Sequence, residues 1–196
     1  MGLGKIHRYL RLVPCLLLAA PLAAASPGAA KHAKDRPHRV VSLNLCADQL
    51  LVALADREQI AGLTRYASDP NMSEVAKQAR SLPVFGGSAE EVLAADPDLV
   101  IGMPARRNSA IAVLKNQHYT SLDLKSAHDY AGILASIRDV SRAVGHPERG
   151  EAMIARMNAD LAGLRSAGRG RVAAYYQRRG YLTGTGTLVD DLMTRV

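Results

Sequence analysis

Arginine and tyrosine cluster in this sequence where its apolar runs stop. Arg65 and Tyr66 follow the run IAGLT at 60–64, Arg106 and Arg107 follow DLVIGM at 98–103, and Arg178, Arg179 and Tyr181 follow VAAYYQ at 172–177. A guanidinium presents a planar fork of donors that pairs bidentately with carboxylate, phosphate or catecholate oxygens, and a phenol ring covers flat apolar surface. With one Phe, seven Tyr and no Trp in 196 residues, aromatic side chains are scarce enough that each must be located. If those ends converge, the chemistry on offer is retention of a bulky, partly anionic ligand. Covalent chemistry has weaker support, since nothing in the chain resembles a Ser-His-Asp group with supporting context.

Convergence depends on the elements. From residue 39 onward, short β-rich runs (39–43, 60–64, 82–85, 98–103, 121–124) alternate with helical stretches (48–55, 73–80, 89–95, 109–117). Strand and helix in alternation predict a parallel sheet covered by helices, and hence an α/β lobe. Asp96-Pro97-Asp98 cannot continue a helix, and Ser88 with Glu91 three residues later predicts a capping box that leaves Glu90 uncommitted. After residue 124 the alternation stops. Two helical segments follow at 127–144 and 148–164, the second with Met153, Ile154, Met157, Leu161 and Leu164 on one stripe and about 30 Å long if it runs to roughly 20 residues. A strand at 172–177, a Gly-Thr-rich turn at 183–186 and a helix from residue 188 come next. One strand cannot make a sheet, so this strand either joins the first lobe or, the favoured expectation, opens an incomplete second α/β lobe.

In open α/β sheets, ligands sit outside the carboxyl ends of the strands, where helix N-termini converge. That rule nominates Asn44, Leu45 and Cys46 after the first strand, Arg65 and Tyr66 after the second, Phe85 and Gly86 after the third, and Arg106 and Arg107 after the fourth. From the second lobe it adds Gln177, Arg178 and Tyr181.

The opening 25 residues read as a cleavable secretory signal: Lys5, Arg8 and Arg11, an apolar run over 12–24, and small residues at 23–25. The run is shorter than the ~20 residues that span a bilayer, and Pro14 stands where a lipoprotein site before Cys15 needs a small residue. Cleavage would leave Cys46 as the sole thiol, without an intramolecular disulfide, and would lower the charge from +7 to +4, from 22 basic against 18 acidic residues. A surplus so small and so scattered argues against nucleic acid as partner. Residues 26–38 read as a flexible tether, and the mature chain is expected to be exported.

The run RVVSLNLCADQLLVALADREQIAGLT and the spaced motif GGSAEEVLAADPDLVIG resemble the periplasmic solute-binding proteins of ABC importers that carry cobalamin, ferric siderophores and haem. The likeness covers nearly all of 39–196. It implies two α/β lobes joined by one long helix, here 146–168, with an N-terminal lobe at 39–145 and the beginning of the other at 169–196. Most of the second lobe is expected to lie beyond residue 196. The resemblance further implies capture of a metal chelate and its delivery to an inner-membrane ABC permease by a monomer, with no cofactor and no catalysis. It also implies docking to that permease through Glu90, which on sequence alone is simply an acid favourably placed at a helix start.

Two other readings are open. A secreted α/β hydrolase would use Cys46 or Ser42 as nucleophile, although a lone small thiol more often packs in a core than reacts. A fragment with half a cleft would have no function of its own. Capture of a bare metal ion is disfavoured, because the histidines do not converge on strand ends.

Overall fold

The computed structural model describes residues 36–102, 119–164 and 172–195. Val, Ile and Leu dominate the short runs, and five of these form one sheet of parallel strands. They are β1 (Val40–Ser42), β2 (Ile60–Thr64), β3 (Val84–Phe85), β4 (Leu99–Gly102) and β5 (Thr120–Asp123), in the order β3-β2-β1-β4-β5. β1 and β4 are central and buried along their whole length, whereas β3 and β5 are half-exposed edges. The expected α/β lobe is thus present, with β2 at its expected bounds, β5 shifted by one residue and β1, β3 and β4 each shorter by two.

Alternation along the strands divides the core. Val40, Leu63, Leu99 and Ile101 face one side. There they meet α1 (Leu45–Leu54), α4 (Tyr130–Ala143) and Ile154 of α5 (Pro147–Ala162), while α2 (Ala76–Ala79) contributes Ala79. Val41 and Val100 face the other side, against Val92 of α3 (Ala89–Ala94), Ala95 and Phe85. Phe85 can lie on the sheet only because position 62 is Gly, where a Cβ would overlap its ring.

Local sequence sets the helix starts. Asn44 caps α1 by accepting from the Ala47 amide at 3.0 Å, and Asp129 caps α4 by accepting from Gly132 at 2.7 Å. Ser88 and Glu91 form the expected capping box of α3, and Pro147 occupies the first turn of α5. Residues 36–38, which the sequence assigns to the tether, carry fixed contacts: the His38 and Arg39 amides donate to Asp98, and Gln59 donates to the Pro37 carbonyl.

Two expectations need correction. α5 has 16 residues, about 24 Å of helix, against the roughly 20 residues expected. It folds back along α4 and buries Ile154 in the lobe's core, with Met153 and Met157 half-buried beside it. The reason is its stripe, which has an apolar partner at hand. The run 172–177 is likewise not a strand. Lacking a sheet to join, it pairs with itself in a hairpin with an isolated antiparallel bridge between Tyr176 and Leu182, and it leads into α6 (Leu188–Arg195). The leader, the helix predicted at 109–117, and Arg106 and Arg107 lie outside the described residues.

Candidate functional site

The strand order reverses between β1 and β4, so the crevice of this sheet opens at their carboxyl ends. β1 runs out at Ser42, and α1 begins three residues later, bringing the positive end of its dipole to that edge. Asn44 is committed to its cap: its side chain serves Ala47, and its carbonyl accepts from the Asp48 amide and the Ser42 hydroxyl, both at 3.0 Å. Leu45 is half-buried in the first turn. Cys46 is exposed, contrary to the fate expected of a small thiol, because position 46 falls on the outer face of the turn whose inner face carries buried Ala47 and Asp48. Ser42, the other candidate nucleophile, is buried.

Asp48 fixes the next strand end. Its carboxylate accepts from the Thr64 amide at 2.9 Å and the Thr64 hydroxyl at 2.5 Å, which ties the start of α1 to the end of β2. Burial pushes its pKa upward, and the hydrogen bonds from Thr64 partly offset this. Directly beyond, Arg65 and Tyr66 open a 3-10 turn over Arg65–Ser68. Arg65 donates to the Tyr66 hydroxyl at 3.0 Å and lies 5.0 Å from its ring centroid, and both side chains are exposed. The contact with the Tyr66 oxygen favours the charged guanidinium. The pair forms a flat cationic plate at the edge, with outward donors available to an oxyanion.

After β3, the amides of Gly86, Gly87 and Ser88 all donate to the Glu91 carboxylate at 3.0–3.1 Å. These bonds hold Glu91 below the usual carboxylate range. They also spend the amide of Gly86, so that residue can meet a ligand only through its Cα or carbonyl. Glu90 is exposed, and its own backbone amide and the Ser88 hydroxyl depress its pKa, leaving an ionised acid on the surface.

Gln177, Arg178 and Tyr181 belong to the hairpin and stand apart from the sheet. The Gln177 amide donates to the Tyr181 carbonyl, and its side chain donates to the Thr183 hydroxyl, both at 2.7 Å. Arg178, Arg179 (φ 63) and Gly180 (φ 85) make the tip, and Tyr175, Tyr176 and Tyr181 are all exposed. The structure therefore gathers Asn44, Leu45, Cys46, Arg65, Tyr66, Phe85 and Gly86 along one edge, and presents Gln177, Arg178 and Tyr181 on a separate arm.

Sequence reasoning missed Asp48 and two polar clusters at the ends of the α4–α5 pair. At one end Asp56 receives Arg149 at 2.6 Å and His146 at 2.9 Å, while the other ring nitrogen of His146 meets Glu148 at 3.1 Å. At the other end Tyr130 meets Asn158, Asp191 and Arg195. Apart from His146 and Glu148, which are two residues apart, these partners are 28 to 93 residues apart, and no local signal announces them. Among the described residues, no group of three or more His, Cys, Asp or Glu could hold a metal ion, and no helix is long and apolar enough to cross a membrane.

Comparison with known proteins agrees with this fold. A family profile described as periplasmic binding protein matches residues 40–196. A cobalamin-binding protein of Halobacterium salinarum is 26% identical over 166 residues, 79% of this chain and 43% of its own. A vitamin B12-binding protein of Pectobacterium carotovorum is 29% identical over 142 residues, 70% of this chain and 49% of its own. Among solved structures, the apo form of the periplasmic heme-binding protein RhuT from Roseiflexus sp. RS-1 superposes with a TM-score of 0.59 at 25% identity, over 81% of this chain and 63% of that one. The chain spans about half the length of the relatives it matches in sequence.

Proposed function

We propose that this chain, which belongs to the periplasmic binding protein family, captures a metal chelate such as a corrinoid, a haem or a ferric siderophore and delivers it unaltered to an ABC permease. The observation that carries this reading is the arrangement of residues at the carboxyl edge of the sheet. There the Arg65–Tyr66 plate, the start of α1 with Asn44, Leu45 and Cys46, and the Phe85–Gly86 corner lie side by side on adjacent parallel strands. An oxyanion-bearing macrocycle needs such a combination of forked donors and flat aromatic cover. The hairpin with Gln177, Arg178 and Tyr181 would supply the facing wall, and Arg106 and Arg107 would extend the cationic rim after β4. Relatives named for cobalamin, vitamin B12 and heme support the ligand class.

In this reading residues 39–145 form the N-terminal lobe, 146–168 the connecting helix region and 169–196 the start of a second lobe, in a monomer exported to the periplasm. Glu90, exposed and ionised at the start of α3, would face an arginine of the permease. No catalytic step is assigned.

Cyanocobalamin and haemin are the probes. The expected result is that one of them raises the melting temperature, slows maleimide labelling of Cys46 and is recovered chemically unchanged, since a ligand that binds only the folded state stabilises it by an amount that grows with the logarithm of its concentration over Kd. Arg65→Ala should weaken that binding roughly tenfold, the scale of one charge-assisted contact. Glu90→Gln should leave it unchanged while reducing permease-dependent uptake. Conversion of either probe to product would overturn the assignment, and no thermal shift with either would remove corrinoids and haem from it.

A further inference from the structure

Three helices meet at Tyr130. Its side chain is buried and its hydroxyl donates to Asn158 Oδ1 on α5 at 2.9 Å, while its amide, at the first position of α4, donates to Asp191 Oδ2 on α6 at 2.8 Å. Arg195, one turn further along α6, grips the same Asp191 carboxylate through Nε at 2.8 Å and Nη2 at 3.1 Å, and its guanidinium lies 5.1 Å from the Tyr130 ring centroid. The start of α4 is therefore capped twice. Asp129 serves Gly132 from within the local sequence, and Asp191 serves Tyr130 from 61 residues away. A carboxylate is well placed at a helix N-terminus, where unpaired amides and the helix dipole favour negative charge.

The apolar contribution at this junction is small. No residue of α6 is buried; Leu188, Val189 and Leu192 are half-covered and Met193 is exposed. Burial of apolar surface is non-directional, whereas a hydrogen bond needs its donor within a narrow cone of its acceptor. Where apolar contact is slight and polar contact is well aligned, the polar contact sets the angle. The junction also lies at the carboxyl edge, because Tyr130 opens the helix that follows the carboxyl end of β5.

We propose that Tyr130, Asn158, Asp191 and Arg195 form a latch that fixes the angle at which α6 is carried against the α4–α5 pair. They are thereby positioning residues for the ligand site at that edge. The consequence for ligand rests on the carrier reading above; the latch itself is testable with no ligand present.

The test is a distance measurement on the full chain carrying Cys15→Ser and Thr194→Cys, with nitroxide labels on Cys46 and position 194. Double electron–electron resonance should give one narrow distance distribution for this parent. Asp191→Ala and Tyr130→Phe should each broaden it about twofold or shift its maximum, and Asp191→Ala should speed exchange of the Tyr130 amide roughly tenfold, the scale of one lost charge-assisted hydrogen bond. Secondary structure by circular dichroism should be unchanged. If Asp191→Ala does not fold, Tyr130→Phe combined with Arg195→Gln replaces it. A distribution identical to the parent's in the folded variants would overturn the latch, because a contact that merely adds stability leaves the inter-label distance where it was. Cyanocobalamin titration of the unlabelled chain, with Cys46 free, separates the two proposals: failure of that chain to bind counts against the carrier reading for that probe, and the distance distributions still decide the latch.

Discussion

The two ends of the α4–α5 hairpin are held by different physics. At the amino edge of the sheet, where α4 turns into α5, Ile137, Val140, Val144 and Ile154 are buried, and Gly150 lets the helices approach so closely that a Cβ there would run into Ser141. Around this apolar contact Asp56 gathers Arg149, His146 and Arg36, with His146 only 4% exposed. At the carboxyl edge, α5 beyond Ile154 has only half-covered Met157 and Leu161 facing inward, and α6 is attached through the Tyr130 cluster. One end is a core with polar trim; the other is a polar joint with little core. The first half of α5 is thus mechanically part of the sheet lobe, and orientation at the second half depends on a few directional bonds.

The largest expected effect breaks the first end. Gly150→Val forces α4 and α5 apart and should cost about 1–3 kcal/mol in urea unfolding, the usual range for overpacking. Leu161→Ala at the other end of the same helix should cost at most about 1 kcal/mol, because a half-covered side chain has less transfer free energy to lose. Equal costs would show that the two ends are held alike.

Next in size is His146→Ala, which removes a buried partner from Asp56 and Glu148. It should destabilise by about 1–2 kcal/mol, the scale of polar groups left without their hydrogen bonds, at the lower end because Asp56 is partly exposed. Arg149→Ala, which also strips a donor from the Leu54 carbonyl, should fall in the same range or below it. Neither should move the inter-label distance at the latch.

The acids at the two ends of α1 sharpen the comparison through pH. Arg149, and to a smaller extent His146, hold Asp56 at the amino edge below its ordinary 3.8, so its stabilisation is present above that pH and is lost as pH falls through the folded value. Asp48 at the carboxyl edge has its pKa raised by burial. Its protonated form is favoured in the fold, so its contribution is greatest below about 3.8 and declines as pH rises through the raised value. Urea titrations from about pH 3 to 7 should therefore show Asp56→Asn removing a term that grows with pH, and Asp48→Asn removing one that shrinks. Slopes of the same sign would contradict one of these environments.

What could be read from the sequence follows the range over which each feature is encoded. The five strands, their parallel sense and the Ser88–Glu91 box were legible, because each depends on a period or a spacing of a few residues. Asn44 through Gly86 fell on the carboxyl edge by rule, once the strands were known. The exposed position of Cys46 was not legible, since it depends on which face of the first turn of α1 meets the sheet. The hairpin was missed because VAAYYQ has the composition of a strand, and only the pairing of Tyr176 with Leu182 shows that it turns back on itself. The Tyr130 and Asp56 clusters join residues from distant segments, which no window on the sequence brings together.

Ionic strength gives the smallest expected effect and separates the two ends by exposure alone. In the latch, the Arg195 and Asp191 side chains are 42% and 26% exposed, so mobile ions reach the pair. Raising salt from about 0.1 M to 1 M shortens the screening length from roughly 10 Å to 3 Å. At the amino edge the His146 side chain is 5% exposed and screening acts weakly. Exchange of the Tyr130 amide should accelerate with salt by about two- to threefold, a fraction of the effect of deleting Asp191, because exposed pairs contribute little and lose only part of it. Amides at the start of α5, from Arg149 through Gly150, should keep their protection over the same range. A uniform response would mean that the carboxyl-edge joint is as well buried in solution as the amino-edge one, and α5 would then be a rigid member of the sheet lobe along its whole length.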